Sequence, residues 1–440
     1  MRSFGSDEGK IADMGPLFAA VILAPKTPTE LYDYLRKPDA SASWRVLRED
    51  KGQTEIELTS QTWQGNVWKH GILVQQPPKR EFKGTAVLYI TGDGPKDGDR
   101  VQIRLLSAST GMPVAMLFGI PNQPIWNMRE DDLIAHTFEE YLATKDSNWP
   151  LLFPMTKSAI RAMDAVVATT RNSSNPIKRF IVTGASKRGW TTWFVGASGD
   201  RRVVGIAPMV YDNLKVAAQM KHQIDSWGQY SLMIQDYTKR GLQQKLDSAD
   251  GQKLASIIDP YTYRSRIKVP TLIVNGGNDP YWTVDALSQY WRDLRMPRWA
   301  RIIPNVSHDL GGGVTAIETI GMFARSLAGA FKMPSIDGRW TNYPSIQGLR
   351  PRYFKLSKLP EGLRTARLWI VSSKTLDFRD QKWAAQTTLS LGPNATVDEW
   401  NKGLRLFLPD SVNSAVFLEL RFRFGGRDFS LTTPATVFKA

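Results

Sequence analysis

The chain has 440 residues, 42% hydrophobic and 22% charged, with a formal net charge of +15 and no cysteine. Such a composition argues for a globular protein with one large core and an appendage, or two domains, and against disorder. Disulfides, thiolate nucleophiles and cysteine-ligated metals are excluded, and because Lys and Arg are spread along the chain, the charge predicts a cationic surface without a nucleic-acid partner.

In chain order, the first apolar stretch is "GPLFAAVILAP" (15–25). It is far shorter than the roughly 20 apolar residues that span a bilayer, so no membrane span is expected. It also makes no convincing signal peptide, because Asp7, Glu8 and Asp13 precede it. Absence of cysteine nevertheless fits an exported protein, periplasmic or extracellular. Between 40 and 77, "SWRVLREDKGQTEIELTSQTW" and "VWKHGILVQQP" read as antiparallel strands with a turn at Asp50-Lys51-Gly52. "TAVLYITGDGP" (85–95) and "MPVAMLFGIPNQP" (112–124) are unbroken apolar runs, the pattern of strands buried on both faces. Helical periodicity follows in "EDDLIAHTFEEYLA" (130–143) and "PMTKSAIRAMDAVVATT" (154–170). Further buried strands are predicted in "RFIVTGAS", "RVVGIAPMVYD" (202–212), "VPTLIVNGGND" (269–279) and "WARIIPNVSHD" (299–309). This alternation predicts an α/β fold with a mostly parallel sheet flanked by helices.

Residues 213–263 change to amphipathic helices, such as "LKVAAQMKHQIDSWG" and "SLMIQDYTKRGLQQKLDS", and read as a helical lid inserted over the C-terminal edge of the sheet. A helix over 316–332 is followed by "MPSIDGRWTNYPSIQGLRPR", whose Pro and Gly content reads as a linker. The remainder alternates in short strands and ends in a hairpin across Gly425-Gly426, predicting a small C-terminal β-sandwich. The expected domains are 28–332, with the lid at 213–263, and 333–440.

Chemistry concentrates on Ser186. Its strand ends abruptly in "GASKRG", and Gly184 and Gly189 supply the small residues that a sharp strand-to-helix turn around a nucleophile needs; Arg188 stands where the usual G-x-S-x-G has its second Gly. In the α/β-hydrolase fold an acid and a histidine follow on later strand-end loops, and Asp279 and His308 do so in that order. A serine hydroxyl needs an imidazole to remove its proton and a carboxylate to orient that imidazole. Of the four histidines, His70 and His136 fall within predicted elements and read as structural, while His222 lies in the lid and is a substrate-contact candidate. Asp212, Asp285 and Asp309 rival Asp279. The backbone N–H groups of Lys187 and of Gly92 or Asp93 are the oxyanion candidates. Lys187 and Arg188 are offered to a carboxylate on the substrate, and Trp190, Tyr281 and Trp282 to an apolar or sugar-stacking pocket. No metal cluster or nucleotide loop is evident, so no metal or cofactor is expected.

The stretches "LTSQTW" (58–63), "PNQP" (121–124), "NWPLLFPMTKSAIRAMDAV" (148–166), "VTGASKRGWTTW" (182–193) and "IIDPYTYRSRI" (257–267) resemble the PhoPQ-activated pathogenicity-related protein family, over about 28–440. The resemblance implies an α/β-hydrolase-like fold and carries an inferred triad onto Ser186, Asp279 and His308. It departs at "TGDGP", where relatives are more glycine-rich. Asn122 and Gln123 of "PNQP" join the substrate-binding candidates. The elbow alone is also similar to that of glucuronoyl esterases, which cleave esters of sugar acids. The expected activity is hydrolysis of a carboxylic ester or a peptide through an acyl-enzyme. The alternative is a secreted, virulence-associated binding or signalling protein on a hydrolase scaffold.

Overall fold

The computed structural model describes residues 27–440 except 51 and 393. The apolar stretch 15–25 and Lys51 of the expected turn lie outside the described residues. Helix α1 (Glu30–Arg36) precedes a meander in which β1 (Ser43–Asp50), β2 (Gln53–Trp63) and β3 (Asn66–Gln75) pair antiparallel. In β2 the alternation read from the sequence is the burial pattern, with Ile56, Leu58 and Ser60 inside.

The sheet then turns parallel through β4 (Thr85–Ile90), β5 (Val114–Leu117), β6 (Arg179–Ala185), β7 (Val203–Met209), β8 (Thr271–Gly276) and β9 (Arg298–Ile303). The order is β3-β5-β4-β6-β7-β8-β9. Side chains alternate across such strands: Ala86, Leu88 and Ile90 of β4 enter one apolar cluster and Val87 the other. Helices α3 (Glu130–Thr144), α4 (Leu152–Thr170) and α5 (Lys187–Ala197) pack on the first face. On the opposite face lie α2 (Asp97–Thr110) and α10 (Val314–Leu327). The sequence does not announce α2, because the apolar residues it buries are only Ile103 and Leu106.

Residues 213–263 form α6 (Val216–Trp227), α7 (Gln235–Thr238), α8 (Leu242–Lys245) and α9 (Ala249–Ile258). The second helix expected here is broken where Gly241 takes φ +64°, a conformation that glycine tolerates and that ends a helical run. Helix α10 likewise stops short of residue 332, and Gly329 follows it at φ +92°.

The region after 333 corrects the sequence reading in two ways. The presumed linker contains β10 (Gly338–Asn342) and the first half of β11 (Leu349–Leu356), which pair antiparallel and set Trp340 edge-on to Phe354, centroids 5.2 Å apart. The remaining elements are β12 (Leu363–Ser373), β13 (Ala384–Leu389), α11 (Val397–Gly403), β14 (Arg405–Pro409), β15 (Asn413–Phe424), β16 (Arg427–Thr432) and β17 (Thr436–Phe438). Strands β10, β11 and β14 make a small sheet. The others continue the central sheet, because β16 meets β9 at Thr432 and Ala300. Leu272, Val274 and Ile303 share one core with Phe354, Leu418 and Leu420, so this region does not stand apart. The hairpin across Gly425-Gly426 forms as expected, both glycines at positive φ.

Candidate active site

Strand β6 ends on Ala185 and α5 starts at Lys187, which leaves Ser186 alone on the turn at φ +58°, ψ −127°. That conformation is costly for a side-chain-bearing residue and persists only where its surroundings enforce it. Two bonds do so: Ser186 N–H donates to the Met209 carbonyl and Trp190 N–H to the Ser186 carbonyl, each at 2.9 Å. The glycines explain the rest. A Cβ on Gly184 would stand 2.7 Å from the Arg188 carbonyl oxygen, and one on Gly189 2.5 Å from that of Met209. The sequence can therefore place Arg188 at the usual glycine position, provided these two neighbours stay bare.

Asp279 and His308 sit on the loops after β8 and β9. His308 Nδ1 and Asp279 Oδ2 lie 2.8 Å apart, and Asp279 Oδ1 accepts the Tyr281 N–H. The Tyr281 ring stacks on the imidazole, centroids 4.0 Å apart at 26°. His308 Nε2 is buried and has no hydrogen-bond partner. The pair is thus oriented by a carboxylate on one side and a ring face on the other, and its second nitrogen is uncommitted.

The rival acids have other work. Asp212 accepts from the Tyr290 hydroxyl and the Asn275 amide, both at 2.7 Å; Asp285 binds His222; Asp309 accepts from Gly311 N–H. Burial pushes the Asp212 carboxyl up to about 7, with Asp279 and Asp285 adding to the rise against the Tyr290 hydrogen bond. A carboxyl with a raised folded pKa holds its proton better in the native state. Its contribution to stability is complete below the unfolded value of about 3.9 and is lost as pH rises through about 7. Asp212→Asn is expected to flatten the fall in Tm between about pH 4 and 7, measured by thermal scans across that range; an unchanged slope would assign the effect elsewhere.

Ser186 opens into a cavity lined mainly by apolar side chains, among them Trp190, Tyr211, Tyr281 and Trp282, with Met220, Leu242 and Leu254 supplied by the 213–263 segment. Of the substrate-contact candidates, Trp190, Tyr281 and Trp282 face it, and four others do not. Arg188 makes a bidentate pair with Glu130, at 2.8 and 2.7 Å, so its guanidinium is taken. Gln123 brackets the same Glu130, donating to its carboxylate at 2.6 Å and accepting its N–H at 2.7 Å. Asn122 accepts the Lys69 N–H, and His222 is held by Asp285 at 2.7 Å. For Arg188, Asn122 and His222 the partner that fixes the side chain is distant in sequence, which composition and spacing do not show, while Glu130 follows Gln123 by only seven residues.

Lys187 Nζ is committed too, 2.9 Å from Glu130 and 2.8 Å from Asp131. Burial opposes charge on Glu130, yet Arg188 and Lys187 hold its carboxyl down to about 2. The Lys187 N–H remains an oxyanion candidate, since the first residue of a helix has no carbonyl in a preceding turn to bind. Gly92 and Asp93 do not line the cavity. The Gly92 carbonyl accepts the Gly119 N–H, a Cβ there would meet Arg188 Nη2 at 2.6 Å, and the Asp93 carboxylate binds Arg129 and Gln123. Sequence reasoning missed Glu130, Asp131, Tyr211 and Tyr237; the acidic start of α3 is a signal for the first two alone. His70 bonds Ser60 Oγ and the Gly119 carbonyl, and burial lowers it to about 4, while the His136 ring stands edge-on to Trp126 and Trp149. Among the described residues no three His, Asp or Glu are grouped to hold a metal, and no helix is long and apolar enough to cross a membrane.

A mixed sheet whose central strands β5-β4-β6-β7-β8-β9 run parallel, with a serine on a strained strand-to-helix turn and Asp and His on later strand-end loops, defines an α/β-hydrolase-fold protein. The chain belongs to the PhoPQ-activated pathogenicity-related protein family, whose pattern matches residues 31–379. Residues beyond 379 lie outside that match. The chain is also similar to autocrine proliferation repressor protein A of Dictyostelium discoideum, 33% identical over 324 residues, or 68% of this chain and 65% of that protein. It thus spans just under two thirds of that relative's length. Among solved structures, an acetyl xylan esterase from Paenibacillus sp. R4 aligns over 68% of this chain and 95% of its own, with 16% identity and a TM-score of 0.48. An S-formylglutathione hydrolase from Agrobacterium tumefaciens aligns over 65% and 100%, with 13% identity and a TM-score of 0.45.

Proposed function

We propose that the protein is a serine hydrolase that cleaves a carboxylic ester, or a peptide, through an acyl-enzyme. The observation that carries this reading is the His308 imidazole, bound to Asp279 through Nδ1 and keeping Nε2 buried and unpartnered, in a fold whose serine stands on the strained turn. In this mechanism Nε2 takes the Ser186 hydroxyl proton as Oγ attacks the substrate carbonyl. The tetrahedral oxyanion accepts the Lys187 N–H. His308 then returns the proton to the departing alcohol or amine, leaving an acyl-serine. A water molecule deprotonated by the same nitrogen hydrolyses that ester and restores the enzyme. Asp279 fixes the imidazole tautomer and stabilises the imidazolium.

The test is labelling of the folded chain with a fluorophosphonate, which needs an activated serine and no knowledge of the substrate. Wild type is expected to label and His308→Ala to lose labelling; folded wild type that stays unlabelled would sink the proposal. Asp279→Asn is expected to retain the fold and lower kcat by about three to four orders of magnitude, because the amide favours the wrong tautomer. A drop below about tenfold would remove Asp279 from this role. A second reading, a regulator built on a hydrolase scaffold, draws support from the name of the Dictyostelium relative. Persistence of a growth-repressing effect in a protein that lacks the Ser186 hydroxyl would favour it.

A further inference from the structure

We infer that the cavity beside Ser186 is the acyl-binding subsite and takes an uncharged aromatic acyl group that bears a hydrogen-bond donor, an inference that rests on the hydrolase reading above. Six aromatic side chains line the cavity: Phe138, Trp190, Tyr211, Tyr237, Tyr281 and Trp282. Trp190 and Tyr211 stack at 4.8 Å and 17°, Phe138 meets Trp190 edge-on at 6.0 Å, and Tyr211 meets Trp282 edge-on at 5.9 Å. A flat ring inserted among these finds stacked and edge contacts of the kinds aromatic pairs prefer. The remaining wall is mostly aliphatic and comes from helices α6, α8 and α9. The cavity between these walls has a volume of about 80 Å³, several times what a single water molecule needs. An acetyl group would leave most of that apolar surface without a partner.

Charge and hydrogen bonding narrow the class further. The charged lining residues are Asp131 and Lys187, and they neutralise one another; Asp131 Oδ1 also accepts the Tyr237 hydroxyl at 2.9 Å. Among the described lining residues no cation is left for a substrate carboxylate. Two acceptors are unpaired, Asn213 Oδ1 and Gln243 Oε1, in side chains of residues only 7% exposed. A buried acceptor without a donor is unfavourable, and an acyl group carrying a hydroxyl or amide N–H relieves it.

The experiment compares p-nitrophenyl acetate, p-nitrophenyl hydrocinnamate and the para-hydroxy derivative of the hydrocinnamate, whose common leaving group isolates the acyl part. Both aryl esters are expected to exceed the acetate in kcat/KM by about tenfold or more, the size of effect that apolar pocket filling provides, with the hydroxylated ester the best of the three. Leu254→Trp, which narrows the cavity from α9, is expected to lower the aryl-to-acetate ratio by about tenfold. Equal or faster turnover of the acetate by an enzyme whose serine labels with fluorophosphonate would overturn the subsite while sparing the hydrolase reading. So would a loss on adding the hydroxyl, for the donor. An unlabelled, inactive wild type would instead remove the hydrolase reading and this inference with it.

Discussion

Ser186→Ala is expected to abolish ester hydrolysis and fluorophosphonate labelling while leaving the fold intact, with kcat falling by about six orders of magnitude. The size follows from cooperation: once the nucleophile is gone, the oriented imidazole has no proton to move, and what persists is catalysis from positioning and the oxyanion donors alone. For the same reason the double variant with His308→Ala should be scarcely worse than either single change. Stability should shift little. The bonds that hold the elbow use the Ser186 N–H and carbonyl, which alanine keeps. Progress curves on an activated ester, with circular dichroism of the same samples, check both halves. Residual activity above about a thousandth of wild type, in protein free of contaminating esterase, would point to another nucleophile.

The elbow was legible because its constraint is local: two glycines at fixed offsets, between an apolar run and a helix, suffice to mark it. Asp279 and His308 followed from the order in which buried strands end. The cavity wall was not legible. Tyr237, Leu242 and Leu254 read as one side of amphipathic helices, and nothing in their spacing says that the partner they face includes a serine. Asn122 and Gln123 show the converse, since sequence does not reveal that their side chains accept the Lys69 and Glu130 N–H groups. The misread linker shows composition outweighing pattern. Its Pro and Gly residues concealed Trp340, whose packing against Phe354 becomes visible only when β10 and β11 are paired.

The largest stability effect is expected at Glu419. Arg301 of β9 and Glu419 of β15 pair at 2.9 Å with side chains only 7% and 8% exposed, and the second Glu419 oxygen accepts the Trp369 Nε1 at 2.7 Å. Burial opposes charge on the glutamate, but Arg301 holds its carboxyl below the usual range. Burial also pulls the Arg301 guanidinium down, without discharging it, because an arginine stays protonated in proteins. Glu419→Ala leaves that cation buried, with its Nε already unpartnered, and is expected to cost about 3–5 kcal/mol in urea unfolding. Arg301→Met with Glu419→Leu should recover most of the loss, since two apolar side chains remove both desolvation penalties together. The position matters because β9 and β16 meet at a single residue pair, Ala300 and Thr432. The ion pair is therefore a principal polar tie between the parallel sheet and the C-terminal strands. Its stabilisation should be complete above about pH 4.3, the unfolded value, and disappear as pH falls through the lower folded one, opposite in sense to Asp212. If Glu419→Ala unfolds within about 1 kcal/mol of wild type, the shared apolar core, not this pair, holds the C-terminal strands in place.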